Sequence, residues 1–189
     1  MSSKRRKNVV KFNSKIKRYA KFVKQHFYLF DFVVAPDVPG SIEATVRNTQ
    51  EFASVVEEYV PVLQGKSLRE YLMCLDFLRR KKLLRSRMLV GIGNITPFKN
   101  NGKGLMEFSQ ILKKLKESGL EKMHLFGANL RVLKKTHSLL YSCDIGAWQR
   151  EIAFRRRTTH NAPNIEMATL KALLTYEKKI AELKRTYLS

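Results

Sequence analysis

Apolar residues alternate between two periods along the chain. Around positions 14–26 Ile16, Tyr19, Ala20, Phe22 and Val23 recur at helical spacing with Lys and Arg between them, which predicts a basic amphipathic helix. The run Phe27–Ala35 is almost continuously apolar, aromatic and β-branched, and it reads as a buried strand closed by Pro36-Asp37-Val38-Pro39-Gly40. A helix is then expected over about Ile42–Glu57, a strand over Tyr59–Leu63 and a helix over Ser67–Leu84. The pattern repeats with a strand at Met88–Ile92, a helix at Gly104–Ser118 and a strand at Lys122–Phe126. A short helix at Leu130–Thr136 and a strand at Leu139–Ser142 complete the series. Beyond Trp148 the chain reads as basic and helical, ending in a helix over about Ile165–Thr186.

Short apolar strands separated by amphipathic helices predict parallel βαβ units, hence an α/β fold with about five parallel strands. At 189 residues, 44% of them hydrophobic, the chain can form one domain with a substantial core. Three segments follow: a basic tail and helix over 1–26, the β/α part over 27–150, and a basic loop with a C-terminal helix over 151–189.

Charge changes the picture. Lys and Arg total 37 against 16 Asp and Glu, a net charge of +21. Such a surplus repels itself in the compact state and is relieved by a polyanion. The charge is also uneven: ten basic residues and no acid precede Asp31. Lys4, Arg5, Arg6, Lys7, Lys15, Lys17 and Arg18 belong to this first cluster; Arg150, Arg155, Arg156 and Arg157 form a second. Both suit contacts to nucleic-acid phosphates, with binding that weakens steeply with salt. Cys74 and Cys143 lie in apolar stretches without a CxxC motif, which predicts buried free thiols and no metal site. No apolar run approaches the length of a membrane span and no signal-like apolar segment follows the N-terminus, so a cytoplasmic protein without a membrane partner is expected.

The predicted strands end on Asp, Gln or Gly, and each ending has a structural explanation of its own. Asp37 could serve a turn or a helix N-cap, and Asp144 could cap a following helix. Gln64-Gly65 and Gly91-Ile92-Gly93-Asn94 could be loop starts and tight turns, and His124 a hydrogen-bonded core histidine. Gly91 and Gly93 do not make a dinucleotide motif, since the third glycine is missing.

In this order the endings resemble something more specific. Phe32-Val-Val-Ala-Pro-Asp37, Pro61-Val-Leu-Gln64-Gly65, Val90-Gly91-Ile-Gly93-Asn94, His124-Leu-Phe-Gly127-Ala128 and Tyr141-Ser-Cys-Asp144 are similar to successive strand ends in the tRNA-guanine transglycosylase superfamily, its DNA-acting 7-deazaguanine relatives included. The resemblance runs from about Phe27 to Arg150. It implies a partial (β/α) TIM-type barrel, matching the later part of the family's barrel. Chemistry is then expected at the C-terminal ends of the strands. The family's early Asp-Ser-Gly-Gly segment and its zinc-binding cysteines have no counterpart here.

By resemblance Asp144 stands where the family has the nucleophile that traps the sugar carbon covalently while one base leaves and another enters. Asp37 stands where a carboxylate reads the N–H edge of guanine or a deazapurine. Gln64, Gly65, Gly91 and Gly93 would complete the base pocket, the glycines allowing the backbone close to the ring. The implied activity is exchange of guanine for a 7-deazapurine on tRNA or DNA. It would need no cofactor beyond the 7-deazapurine co-substrate. Strands without a counterpart here imply that a second copy or a partner chain completes the barrel. The other reading is a non-catalytic nucleic-acid-binding subunit, structural or targeting, derived from the same fold.

Overall fold

The computed structural model describes residues 15–99 and 101–144, together with 178, 181 and 182. Helix α1 covers 15–25, followed by a single 3-10 turn at Phe27–Leu29. The repeating part comprises α2 (Ile42–Ala53), β1 (Val62–Leu63), α3 (Leu68–Arg80), β2 (Leu89–Ile92), α4 (Gly102–Glu117), β3 (Lys122–Leu125), α5 (Leu130–Thr136) and β4 (Ser142–Cys143). The four strands are all parallel and lie in sequence order, β1-β2-β3-β4. Val34 adds a parallel bridge to Val60 just ahead of β1, so a fifth extended segment borders the sheet.

Strand order and helix packing belong together. Each crossover advances by one strand in the same direction, and the helices touch in series, α2 with α3, α3 with α4 and α4 with α5. They therefore form one layer on one face of the sheet. Sequence pattern explains that layer: Leu63, Ile92, Leu125 and Cys143 share one row across the four strands and enter the main core with Phe108, Ile111, Leu112 and Leu115 of α4. Burying each such side chain contributes roughly 1.5–3 kcal/mol. The adjacent row is Val62, Gly91, His124 and Ser142, on the opposite face. A glycine, a histidine and a serine replace the expected aliphatics there, and that face carries no helix among the described residues.

Helix termini follow their caps. Ser41, Ser67, Asn101 and Asn129 are the N-caps of α2, α3, α4 and α5, and each side chain accepts a backbone N–H. Capping is thus not the role of Asp37. A smaller core joins Ile16, Ala20 and Val23 of α1 to Val33, Ala35, Phe52, Val56 and Tyr59. Tyr19 stacks on Phe52 at 5.3 Å, yet it and Phe22 remain 40% and 49% exposed, so the buried stripe of α1 is narrower than its apolar spacing predicts.

Two strand expectations need correcting. Phe27–Ala35 is not a buried strand: it starts as the 3-10 turn, leaves Tyr28, Leu29, Phe30 and Phe32 exposed, and pairs only through Val34. Its hydrophobicity is real, but Tyr28, Leu29, Phe30 and Phe32 stay at least 38% exposed, although Phe32 lies beside the His124 ring. The last strand falls at Ser142–Cys143 rather than Leu139–Ser142, because His137–Leu139 form a 3-10 turn continuing α5. The segments 1–14 and 145–150, and nearly all of 151–189, lie outside the described residues, where only 178, 181 and 182 are described, all helical.

Candidate functional site

The C-terminal ends of the parallel strands converge on a pocket of about 390 Å³ lined by Asp37, Gln64, Gly93, Asn94, Thr96, Lys99, Phe126 and Gly127, with Val34, Pro39 and Ile95 completing the wall. Parallel pairing is what gathers them: each crossover returns the chain so that every strand delivers its last residues to one end. Asp37 follows the bridged segment, Gln64 follows β1, Gly93 follows β2 and Gly127 follows β3.

Gln64 is fully buried and its Nε2 donates to Oδ2 of Asp37. Its amide oxygen is buried and has no hydrogen-bond partner among the described residues. Leaving a buried acceptor unmet costs about 1–3 kcal/mol, so this oxygen is a place for an incoming donor. Burial pushes the Asp37 carboxyl above its ordinary range, while a backbone hydrogen bond and the Gln64 amide pull the other way. Two donors therefore stabilise the carboxylate against desolvation.

Glycine has a definite use at two positions. A Cβ on Gly93 would overlap the end of the Gln64 side chain, so its absence admits the amide that holds Asp37. A Cβ on Gly91 would overlap the Phe126 ring, so Gly91 makes room for an aromatic wall and does not itself line the pocket. Gly65 is likewise a packing position: a Cβ would come within 2.8 Å of the Tyr71 backbone nitrogen. Its carbonyl accepts from Asn94 Nδ2 at 3.0 Å, and Asn94 adopts φ 55°. Buried Tyr71 donates its hydroxyl to the Gly93 carbonyl at 2.6 Å, fixing the β2 end from below.

Asp144 stands at the rim. Its side chain accepts the Gly127 N–H, its backbone N–H reaches Leu125 O at 3.1 Å, and its carbonyl accepts from Ala128 N at 3.0 Å. Asp144 is exposed, unlike Asp37, and is one hydrogen bond from the pocket wall. Lys99 Nζ donates to the Gly127 carbonyl, so the β3 end, with Gly127 at φ 62°, is held by Asp144 on one side and Lys99 on the other. His124 sits deeper on the open face with Nδ1 2.8 Å from Ser142 Oγ, against the Phe32 and Phe126 rings. Desolvation lowers its pKa, with Asp144 acting in the opposite direction.

The structure thus brings Asp37, Gln64 and Gly93 together in one pocket and sets Asp144 at its edge, while Gly65 and Gly91 act behind the lining. Lys15, Lys17 and Arg18 are exposed on α1, whereas Lys4, Arg5, Arg6, Lys7, Arg150, Arg155, Arg156 and Arg157 lie outside the described residues. The sequence did not single out Lys99, Thr96 or Phe126 as site residues. Lys99 is one of 37 basic residues and nothing in its local pattern marks it. Phe126 could have been found from Gly91, the small residue diagonal to it across β2 and β3, once the register was known.

The architecture defined by these elements is a mixed α/β protein with a four-stranded parallel sheet. No family model, curated protein or solved structure matches the chain. Among the described residues no cluster of His, Cys, Asp or Glu could hold a metal ion, and no helix is long and apolar enough to cross a membrane.

Proposed function

We propose that this chain is a guanine transglycosylase-like protein acting on nucleic acid, its sheet a segment of a TIM-type barrel. The observation that carries the reading is the Asp37–Gln64 pair, with an unmet buried amide oxygen, inside a pocket whose rim holds Asp144. The Watson–Crick edge of guanine, like that of a 7-deazaguanine, offers adjacent N–H donors. A half-buried carboxylate and an amide oxygen are the acceptors that edge needs. Phe126 offers a flat apolar surface to a ring, and Gly93 leaves the space in which the Gln64 amide sits beside it.

In this reading the target base is turned out of its stack into the pocket. Asp144, exposed at the rim, attacks the sugar carbon as the bond to guanine breaks, giving an aspartyl-sugar ester and guanine, which takes up a proton at N9. The 7-deazapurine then gives up its N9 proton and displaces the carboxylate, restoring Asp144 and forming the new glycosidic bond. The Gly127 N–H orients the attacking carboxylate. A second copy or a partner chain would cover Phe32, which is exposed beside the buried His124.

The test is exchange of labelled guanine into tRNA or DNA by the chain with whatever completes it, with and without a 7-deazaguanine acceptor. Exchange lost in Asp144→Asn, with nucleic-acid binding retained, supports the enzyme. Binding without any exchange in the complete assembly leaves the non-catalytic binding subunit.

A further inference from the structure

At the opposite end of the sheet, the loop joining α3 to β2 carries a different chemistry. Residues 79–87 contain six basic side chains, Arg79, Arg80, Lys81, Lys82, Arg85 and Arg87, and no acid. All six are exposed. Basic residues in the last turn of a helix favour its negative dipole end, which accounts for Arg79 and Arg80 in α3. That effect fades within a turn, so it does not account for Lys81, Lys82, Arg85 and Arg87.

The loop is held in shape. Arg79 donates to the Ser118 carbonyl, and Arg85 to the Glu57 carbonyl at 2.7 Å. Tyr59 donates its hydroxyl to Leu83 O at 3.0 Å, and Leu83 N reaches Leu78 O at 2.9 Å. Lys82 and Arg87 adopt φ of 56° and 57° to make the turns. The result is a cleft of about 230 Å³ lined by Arg79, Arg85 and Arg87, with Ser86, Gly119 and one acid, Glu121.

We propose that the basic loop joining α3 to β2, together with the cleft it builds, is a second nucleic-acid site, gripping the phosphodiester backbone away from the mouth. Guanidinium forks held in place match phosphate oxygens and lose little freedom on binding. A membrane surface fits less well, because bilayer binding couples basic residues to apolar ones that insert. Here Leu83 is buried and Leu84 and Met88 are half-buried. The cleft carries no base-reading group comparable to the Asp37–Gln64 pair, so its grip is to the backbone and independent of sequence. It does not depend on whether the mouth is catalytic.

The experiment compares three proteins by fluorescence anisotropy against a duplex DNA and an RNA hairpin across a salt series. The underside variant is Lys81→Gln/Lys82→Asn/Arg87→Asn, with Asn placed where φ is positive. The control, Arg47→Gln/Lys103→Gln/Arg131→Gln, removes the same charge from exposed helix positions elsewhere. The underside variant should bind at least about tenfold more weakly near 0.1 M salt, its log–log salt slope shallower by about 2 to 3, while the control keeps both within error. In the unmodified chain, bound nucleic acid should shield Lys81 and Lys82 from acylation more than Lys103, a readout no folding defect can mimic. Equal loss in both variants reduces the effect to net charge and overturns the site, as does greater loss in the control. Shielding absent from Lys81 and Lys82, or binding confined to vesicles of anionic phospholipid, overturns it too.

Discussion

The two ends of one parallel sheet differ in kind. At the mouth the lining is mostly uncharged, Asp37 and Lys99 apart, and the acids Asp37 and Asp144 are held by an amide and a backbone N–H. At the underside the groups are long and cationic and are held by carbonyls. Helix direction accounts for much of this. Helix N-termini and their Ser and Asn caps point to the mouth, with Glu43 and Glu70 in first turns. Helix C-termini point to the underside, with Arg79, Arg80, Lys114, Lys116, Lys134 and Lys135 in last turns. The lesson is that one topology separates a polar pocket from a cationic loop by about the length of a strand, roughly 13 Å for four residues.

The sharpest way to break this comparison is at Asp144. Asp144→Asn should lower base exchange by about 10³-fold or more while the salt slope of nucleic-acid binding stays unchanged. A matching fall in binding would make Asp144 a structural contact independent of phosphate and remove it as the nucleophile. Next in size is Gly65→Ala, which forces a methyl against the Tyr71 backbone and should destabilise the fold by about 1–3 kcal/mol in chemical denaturation. Gly102→Ala, where a Cβ meets nothing within 4 Å, should show no such loss. Tyr71→Phe removes the hydroxyl from the Gly93 carbonyl and should cost about 1 kcal/mol, with weaker capture of free guanine by calorimetry.

The smallest effect is at Asp37, and its sign is the point. Its folded pKa is raised, so the folded state holds the proton more readily than the unfolded one. Stability at this group is then greatest below the ordinary carboxylate pKa and falls as pH rises through the raised value. Asp37→Asn should melt slightly higher than the parent near neutral pH, and the two curves should converge in acid. A thermal series over pH checks it, and a variant that melts lower at neutral pH would mean that the Gln64 hydrogen bond outweighs desolvation.

The helix caps were not legible in the sequence, which offered Asp37 where the structure uses Ser41. The helices of the repeat and the parallel arrangement were legible, because the helical segments are strongly periodic and the strands between them are short and apolar. The run Phe27–Ala35 misled for the same reason: hydrophobicity marks what prefers to be covered, and only the tertiary structure decides whether a neighbour covers it. Asp37, Gln64 and Asp144 were visible as polar endings of apolar runs.

A shared mouth was expected from parallel strand ends, but the hydrogen bond was not, since Asp37 and Gln64 are 27 residues apart in the chain and only the parallel bridge beside β1 makes them partners. Lys99 and Phe126 joined the pocket through the same folding, one by reaching the Gly127 carbonyl and the other by lying over Gly91. By itself the sequence determined the alternation of strand and helix and the large positive charge, because these depend on residue type and spacing alone. Which charge faces which end of the sheet depends on register and helix direction, long-range properties of the folded chain that no local pattern encodes.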